Sequence, residues 1–324
     1  MGLISSRRRS VLITGASGHL GLLLVKALSE LDWKIYAVSR KNSFINFSNV
    51  THIPHEWSKP IAFEIPDVDT IFHLAAQTSA YKARENVEED LATNVLGTVR
   101  LLEKVAKSNI RPAFIFTGSM TEYGLAPTGA IDENAPVSPQ TFYDSAKLAI
   151  EIYLGQYVME GWLSKSVTLR LSNVYGNISL RQGVDRGFLD RSIVRALKGE
   201  PLIYFGSGQY LRDFIHVNDV IRALVESALQ IDDLNLSVFN IGTGFSTSIK
   251  SALDFIANEA KLFTGIQVEI NQADFDINSY AIERRNSTAN SRAFHELTGW
   301  KPKVSFESGV RMGLKEAMSL VSPS

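Results

Sequence analysis

Apolar positions change their spacing twice within the first forty residues. Val11-Leu12-Ile13 is a short continuous run, Leu20, Leu23, Leu24, Ala27, Leu28 and Leu31 recur every three or four places, and Ile35-Tyr36-Ala37-Val38 is continuous again. This pattern predicts strand, helix and strand, with Thr14-Gly15-Ala16-Ser17-Gly18-His19-Leu20-Gly21 as the first turn. Further strands are predicted at 49–54, 70–76, 112–118 and 167–171. Pro54, Pro60 and Pro66 leave no room for a long helix between the first two of these. Val87, Leu91, Val95, Val99, Leu102 and Val105 predict one long amphipathic helix over 87–107, in which Asn94 and Gly97 have no helix-forming reason to sit. A second helix is predicted over 141–160, and Asn173-Val174-Tyr175-Gly176 reads as the turn leaving the 167–171 strand.

Beyond residue 177 the alternation loosens into helices at 188–198, 218–230, 248–263 and 305–320, with strands at 202–205, 238–241 and 266–270. Strands alternating with helices over about 175 residues imply an α/β fold, a doubly wound parallel sheet of the Rossmann type. The expected division is a dinucleotide-binding domain over 10–176, whose sheet segments 212–245 could complete, and a smaller mixed α/β substrate lobe over 177–324. A crevice between the two is the expected substrate site.

Composition narrows the functional classes. A net charge of −1 over 324 residues argues against a nucleic-acid partner, and zero cysteines exclude disulfides and thiolate metal sites. No metal is expected. No apolar run approaches a membrane span, so a cytoplasmic protein is expected. Met1-Gly2-Leu3-Ile4-Ser5-Ser6 with Arg7-Arg8-Arg9 fits the loose N-myristoylation pattern, and a frayed leader into the first strand is the plainer reading.

The glycines of the first turn are spaced GxxGxxG. They could serve only a tight turn, but between strand and helix they let a pyrophosphate approach backbone N–H groups and the positive helix end. The second strand ends Val38-Ser39-Arg40-Lys41, with no carboxylate to accept hydrogen bonds from a ribose 2′-hydroxyl. Ser39 could donate to a 2′-phosphate and the Arg40 guanidinium could grip it, so NADP(H) is favoured over NAD unless Arg40 and Lys41 are simply a solvated loop.

Tyr143 and Lys147 stand four residues apart and so share a helix face. An ammonium there would favour phenolate and bring Tyr143 nearer to neutral-pH acid–base work. Ser119, at the end of the 112–118 strand, could hold the same substrate oxygen. A tyrosine–lysine pair at this spacing on an arbitrary helix is usually surface chemistry; its place after a dinucleotide unit makes it a candidate site.

With these residues in view the chain resembles the extended short-chain dehydrogenases/reductases, the nucleotide-sugar epimerase, dehydratase and reductase group. Thr14 to Gly21 is similar to TGxxGxxG, His73-Leu74-Ala75-Ala76 to HxAA, Asn94 to Thr98 to NVxGT and Tyr143 to Lys147 to YxxxK. Arg170 to Gly176 resembles RxxNVYG, Arg212 to Val217 RDFIHV, and Asn240 to Gly244 NxGxG. The resemblance implies an enzyme with Tyr143 as acid/base, Lys147 on the nicotinamide ribose and Ser119 on the reacting oxygen. It implies cofactor contacts at Gly15, Ser17, Gly18, His19, Leu20, Gly21, Ser39, Arg40, Leu74, Ala75, Ala76 and Asn94, and substrate contacts at Thr121, Asn173 and Arg212. Arg212 could instead pair with Asp213 or another acid. A homodimer built on the 87–107 and Tyr143 helices is also implied.

Departures from the family pattern narrow the reaction. Many 4,6-dehydratases of the group carry acids in the two positions after the serine, where this chain has Met120 and Thr121; Glu122 comes one place later, on the opposite side of an extended chain. Dehydration is therefore not expected. The reading is an NADPH-dependent reductase of a nucleoside-diphosphate 4-keto-6-deoxysugar, with an NAD-holding nucleotide-sugar 4-epimerase as the alternative and a non-catalytic dinucleotide-binding regulator as the third. The base, sugar and C4 stereochemistry depend on the 177–209 loop, where Arg181, Arg186 and Arg191 are candidates, and Arg284 or Arg285 could reach the diphosphate.

Overall fold

Short apolar runs bury both faces only by pairing edge to edge beneath helices. In the computed structural model, which describes residues 9–44, 47–125, 129–178, 187–234, 238–277 and 279–321, β1 (Ser10–Thr14), β2 (Lys34–Ser39) and β3 (Val50–Pro54) pair in parallel on one side. On the other side of β1 lie β4 (Thr70–His73) and β5 (Ala113–Ser119), then Lys165–Leu171 and finally Val238–Ile241. This is a seven-stranded, doubly wound parallel sheet, and its order reverses at β1. Such a switch point is where open parallel sheets hold ligands, outside the carboxyl strand ends.

Alternation along β1 shows why both faces are covered. Leu12 joins a core with Ile71, Phe114, Leu101, Leu102, Ile150 and Leu154, which seats the helices Gly97–Ala106 and Phe142–Met159. Val11 and Ile13, equally buried, point the other way, toward the face where α1 (His19–Glu30) buries Leu24, Val25 and Leu28.

The single helix expected over 87–107 is three segments: α-helix Val87–Asp90, π-helix Leu91–Leu96 and α-helix Gly97–Ala106. The wide turn carries Asn94, whose amide bonds outward to another loop, and a Cβ on Gly97 would lie 2.6 Å from the Trp57 carbonyl oxygen.

The chain forms two compact units. One gathers the described residues of Met1–Glu122, Thr141–Arg170 and Ala223–Phe239; the other those of Tyr123–Gln140, Leu171–Arg222 and Asn240–Ser324. The division is interleaved, because later chain returns to the sheet at Val238–Ile241.

In the second unit the helices Phe188–Leu197, Ile249–Thr264 and Phe306–Val321 share a core with Tyr175 and Phe214. The expected turn at 173–176 is instead a strand, Asn173–Tyr175, paired in parallel with Phe214–His216. The strand expected at 266–270 starts at Ile270 and runs to Ala273, because Ile270 to Ala273 align with Leu202 to Phe205.

Candidate active site

The glycine turn at the end of β1 is as tight as its sequence implies. Gly15 has φ +63° and a Cβ there would meet the Ala75 nitrogen at 2.7 Å; a Cβ on Gly21 would lie 2.2 Å from the Gly15 oxygen. Ser17 and Gly18 are exposed, and Gly18 caps α1 with no side chain bonding the helix's first turn and no acid within it. His19 and Leu20 begin the helix. A backbone-lined turn against an uncapped positive helix end fits a pyrophosphate in both room and charge.

At the end of β2, Arg40 is exposed with no ion pair among the described residues. Ser39 differs from expectation: it is buried, and its hydroxyl donates to the Lys41 carbonyl at 2.7 Å, so its one proton is already committed. Any grip on a 2′-phosphate falls to Arg40.

β4 ends at His73, three residues short of the predicted strand, because the Leu74 and Ala75 amides turn to donate to Thr14 Oγ1, both at 3.1 Å. With its acceptor positions so used, the Thr14 hydroxyl donates to His73 Nδ1 at 2.8 Å. His73 therefore carries its proton on Nε2 and donates it to Thr98, whose hydroxyl passes on to the Asn94 carbonyl, each at 2.8 Å. Burial, with Lys147 nearby, pushes His73 down to about 3, so the ring stays neutral. Asn94 closes the assembly, accepting from Gln77 N at 2.8 Å and donating to Gln77 O at 2.9 Å. Its amide is spent on holding the loop of Leu74, Ala75 and Ala76, so its part in any cofactor site is indirect.

Ser119 ends β5, while Tyr143 and Lys147 stand in the first turns of Phe142–Met159. That helix starts where it does because Thr141 and Asp144 form a capping box. Lys147 is 4% exposed; its ammonium donates to the Thr117 carbonyl at 2.8 Å and sits 5.9 Å from the Tyr143 ring centroid. Burial pushes Lys147 down to about 8 against the pull of Glu122, Glu151 and Asp90.

Tyr143 is part-buried, and the nearby Ser119 side chain favours its ionised form. Burial, then the Glu122 and Asp144 carboxylates, push it above its ordinary value, opposite to the lowering expected from Lys147. Its resting form at neutral pH is the phenol. Thr121 does not point free: its hydroxyl donates to Asp144 at 2.5 Å, so the 2.7 Å contact between Ser119 and Thr121 has Ser119 as donor. A chain from Ser119 through Thr121 to buried Asp144 thus orients the serine.

In the second unit Arg212 is 4% exposed and is not paired with Asp213. Its guanidinium donates to the carbonyls of Leu211 at 3.0 Å, Glu283 at 2.8 Å and Arg285. Three of its five N–H groups are so used, and the other two have no partner among the described residues. Burial, then Arg285, push its pKa down to about 9, and it lines a cavity of about 560 Å³ with Phe214, Thr243, Phe245 and Thr247. Asp213 instead accepts from Thr243 N and Oγ1, Gly244 N and Ala289 N, which fixes the Asn240–Gly244 loop. Asn173 lies opposite Phe214 in the paired strand, its side chain without a hydrogen bond among the described residues. Arg191 lies in Phe188–Leu197, whereas Arg181, Arg186 and Met1 to Arg8 of the N-myristoylation pattern lie outside the described residues. Among the described residues no helix is long and apolar enough to cross a membrane, and no group of three or more acids and histidines could hold a metal.

Glu122, Glu151 and Arg170 form a charged set behind Ser119, of which the sequence turned Glu122 to the opposite side, carried Arg170 only within a motif and left Glu151 unmarked. One signal was available, since Glu151 stands one turn beyond Lys147 on its helix face.

A glycine cradle at a sheet switch point, with a serine, tyrosine and lysine at the neighbouring strand end, defines a dinucleotide-dependent oxidoreductase. The chain belongs to the NAD dependent epimerase/dehydratase family, whose pattern matches residues 11–242. A putative UDP-glucose 4-epimerase of Methanocaldococcus jannaschii is 28% identical, the match covering 93% of this chain and 96% of that one. A dTDP-4-dehydro-6-deoxyglucose reductase of Escherichia coli is 25% identical over 95% of this chain and 97% of its own. The crystal structure of Thermotoga maritima UDP-glucose 4-epimerase with UDP-glucose superposes with a TM-score of 0.84 at 27% identity, covering 97% of this chain and 100% of that one.

Proposed function

We propose that this chain is an NADPH-dependent reductase of a nucleoside-diphosphate 4-keto-6-deoxysugar. The observation that carries the reading is the end of β2: an exposed Arg40, without an ion pair among the described residues, where NAD carriers present an acid. Two further observations support it. Tyr143 rests as the phenol, the form a proton donor needs, and no carboxylate occupies the two positions after Ser119.

In this reading the turn from Gly15 to Gly21 and Arg40 hold the cofactor's phosphates. The bound nicotinamide supplies hydride to the carbonyl carbon. Ser119, its hydroxyl turned from Thr121, holds the carbonyl oxygen, Tyr143 gives that oxygen its proton, and the Lys147 ammonium steadies the phenolate left behind and holds ribose hydroxyls. Hydride and proton together make one alcohol from one ketone. Asn173 and the two spare N–H groups of Arg212 are proposed for the sugar diphosphate.

A second reading, an NAD-holding 4-epimerase, is supported by the 4-epimerase names of the relatives that match most of the chain. Purified protein mixed with NADPH and the keto-sugar separates the two. Loss of the reduced-nicotinamide absorbance in proportion to substrate is expected. Interconversion of UDP-glucose and UDP-galactose without added cofactor, and no NADPH consumption, would overturn the reductase reading in favour of the epimerase.

Homodimerisation is proposed with it. The segments around 87–106 and the Tyr143 helix leave Leu91, Leu96, Ile152, Tyr153 and Met159 exposed, Ile152 at 61% and Met159 at 80%. Light scattering at micromolar protein should give twice the chain mass, and a monomer would refute it.

A further inference from the structure

Behind the Ser119 turn lies a charged set that the proposed chemistry leaves idle. Glu122, in the 3-10 turn Met120–Tyr123, is 0% exposed, and its Oε1 accepts the Ser119 backbone N–H at 2.6 Å. Its Oε2 lies 3.2 Å from Arg170 Nε. That nitrogen, however, donates to Glu151 Oε1 at 3.0 Å, and Arg170 Nη2 donates to Glu151 Oε2 at 2.6 Å. Glu151 thus clasps the guanidinium with both oxygens, and Glu122 Oε2 is left buried with no hydrogen bond among the described residues. A Cβ on Gly118 would meet Glu151 Oε1 at 2.8 Å and Glu122 Oε1 at 3.0 Å, so the glycine is what lets the two acids converge.

We propose that Glu122 is a positioning residue: held as a neutral carboxylic acid sharing its proton with Glu151, it anchors the Ser119 amide and so fixes the strand end from which the serine reaches the substrate oxygen. The inference rests on the reading that Ser119 and Tyr143 handle the substrate oxygen. Charge balance supports it. Four ionised carboxylates, Glu122, Glu151, Asp144 and Asp90, against the cations of Arg170 and Lys147 would leave a net buried negative charge, and the oxygen without a directed hydrogen bond among the described residues is Glu122 Oε2. Placing the proton there gives Oε2 a donor for Glu151 and leaves Oε1 free to accept from Ser119. Burial and the neighbouring Glu151 push Glu122 well above the usual carboxylate range, with Arg170 and the Ser119 amide pulling the other way. The other charged groups around the site are Lys147, Asp144 and Asp90. A neutral Glu122 orders the serine while sparing Tyr143 a further anion.

Glu122→Gln and Glu122→Leu test this. Gln keeps both functions of the neutral acid, its carbonyl accepting from Ser119 and its amide donating to Glu151; Leu keeps volume and neither function. In infrared spectra at neutral pH the wild type should show the C=O stretch of a neutral carboxylic acid that Glu122→Gln lacks. The Ser119 amide resonance should move in Glu122→Leu and stay near its place in Glu122→Gln. In NADPH oxidation, Glu122→Leu should lose about tenfold or more in kcat with NADPH affinity within about twofold, and Glu122→Gln should recover most of that loss. The pH limbs of kcat should stand unmoved in Glu122→Gln, since no charge is removed.

Absence of the carboxylic-acid band, a basic limb displaced by about one pH unit in Glu122→Gln, or wild-type kcat in Glu122→Leu would each overturn the proposal. If Glu122→Leu does not fold, the infrared band and the Glu122→Gln pH profile decide. If the wild type oxidises NADPH with no keto-sugar, the function fails, and the infrared and amide measurements still decide the role of Glu122.

Discussion

Lys147 is a charge the fold buries at a cost to its own stability, and that cost can be measured. The ammonium is 4% exposed, and burial pushes its pKa from 10.5 down to about 8 although Glu122, Glu151 and Asp90 oppose the change. An unfolded chain keeps this proton up to about 10.5, whereas the folded protein gives it up near 8. Between those values the unfolded state binds more protons, so folding stability contributed by this group rises with pH through that window and is flat below it. At about 1.4 kcal/mol per pH unit the whole window corresponds to about 3 kcal/mol, and a comparison of pH 7.5 with pH 10 samples a little over 2 kcal/mol of it.

Lys147→Met fills similar space without the titration, so the expected result lies in a difference. Urea unfolding of the cofactor-free protein and of Lys147→Met, each at both pH values, should show the wild type gaining about 2 kcal/mol on the variant as pH rises. Other titrating groups are common to both proteins and cancel. A difference that does not change with pH would mean that the ammonium is solvated. One that changes in the opposite sense would mean that neighbouring negative charge outweighs burial; either result refutes the reasoning. The same proton is the one the proposed site needs for ribose hydroxyls, so NADPH affinity should weaken above about pH 8 in the wild type alone.

Other outcomes follow from the same contacts. Tyr143→Phe should keep NADPH binding and lower single-turnover hydride transfer roughly 10²- to 10⁴-fold, with Ser119→Ala costing less; wild-type transfer by Tyr143→Phe would remove Tyr143 as proton donor. Arg40→Asp should raise the NADPH KM by about one to two orders of magnitude and lower the NADH value, and an unchanged NADPH KM would make Arg40 a solvated surface residue. Asp213→Ala should lower unfolding free energy by about 3 to 5 kcal/mol, because it strands the amides of Thr243, Gly244 and Ala289; a loss under about 1 kcal/mol would show that water replaces the carboxylate.

What the sequence by itself determined was whatever short-range spacing encodes. The run, glycine turn and helix from Val11 to Leu31 imply both the strand–helix unit and its ligand-ready turn, because a face buried every three or four residues leaves its mark in the chain itself. Tyr143 and Lys147 were legible for the same reason, four residues apart on one helix. What each polar group does with its protons was not legible, because its partners are distant in the chain. Asn94 is matched by Gln77 and thereby sits on a π-turn, the Ser39 hydroxyl is spent on Lys41, and the Arg212 guanidinium reaches the carbonyls of Glu283 and Arg285 rather than the neighbouring Asp213. Glu122 was the plainest case: an extended chain would turn it away from the site, whereas the 3-10 turn places its carboxyl under Ser119, beside Glu151 and Arg170. Burial by position is a local property of sequence, but a buried charge is defined by the groups that surround it, and those come together only when the strands and helices pack.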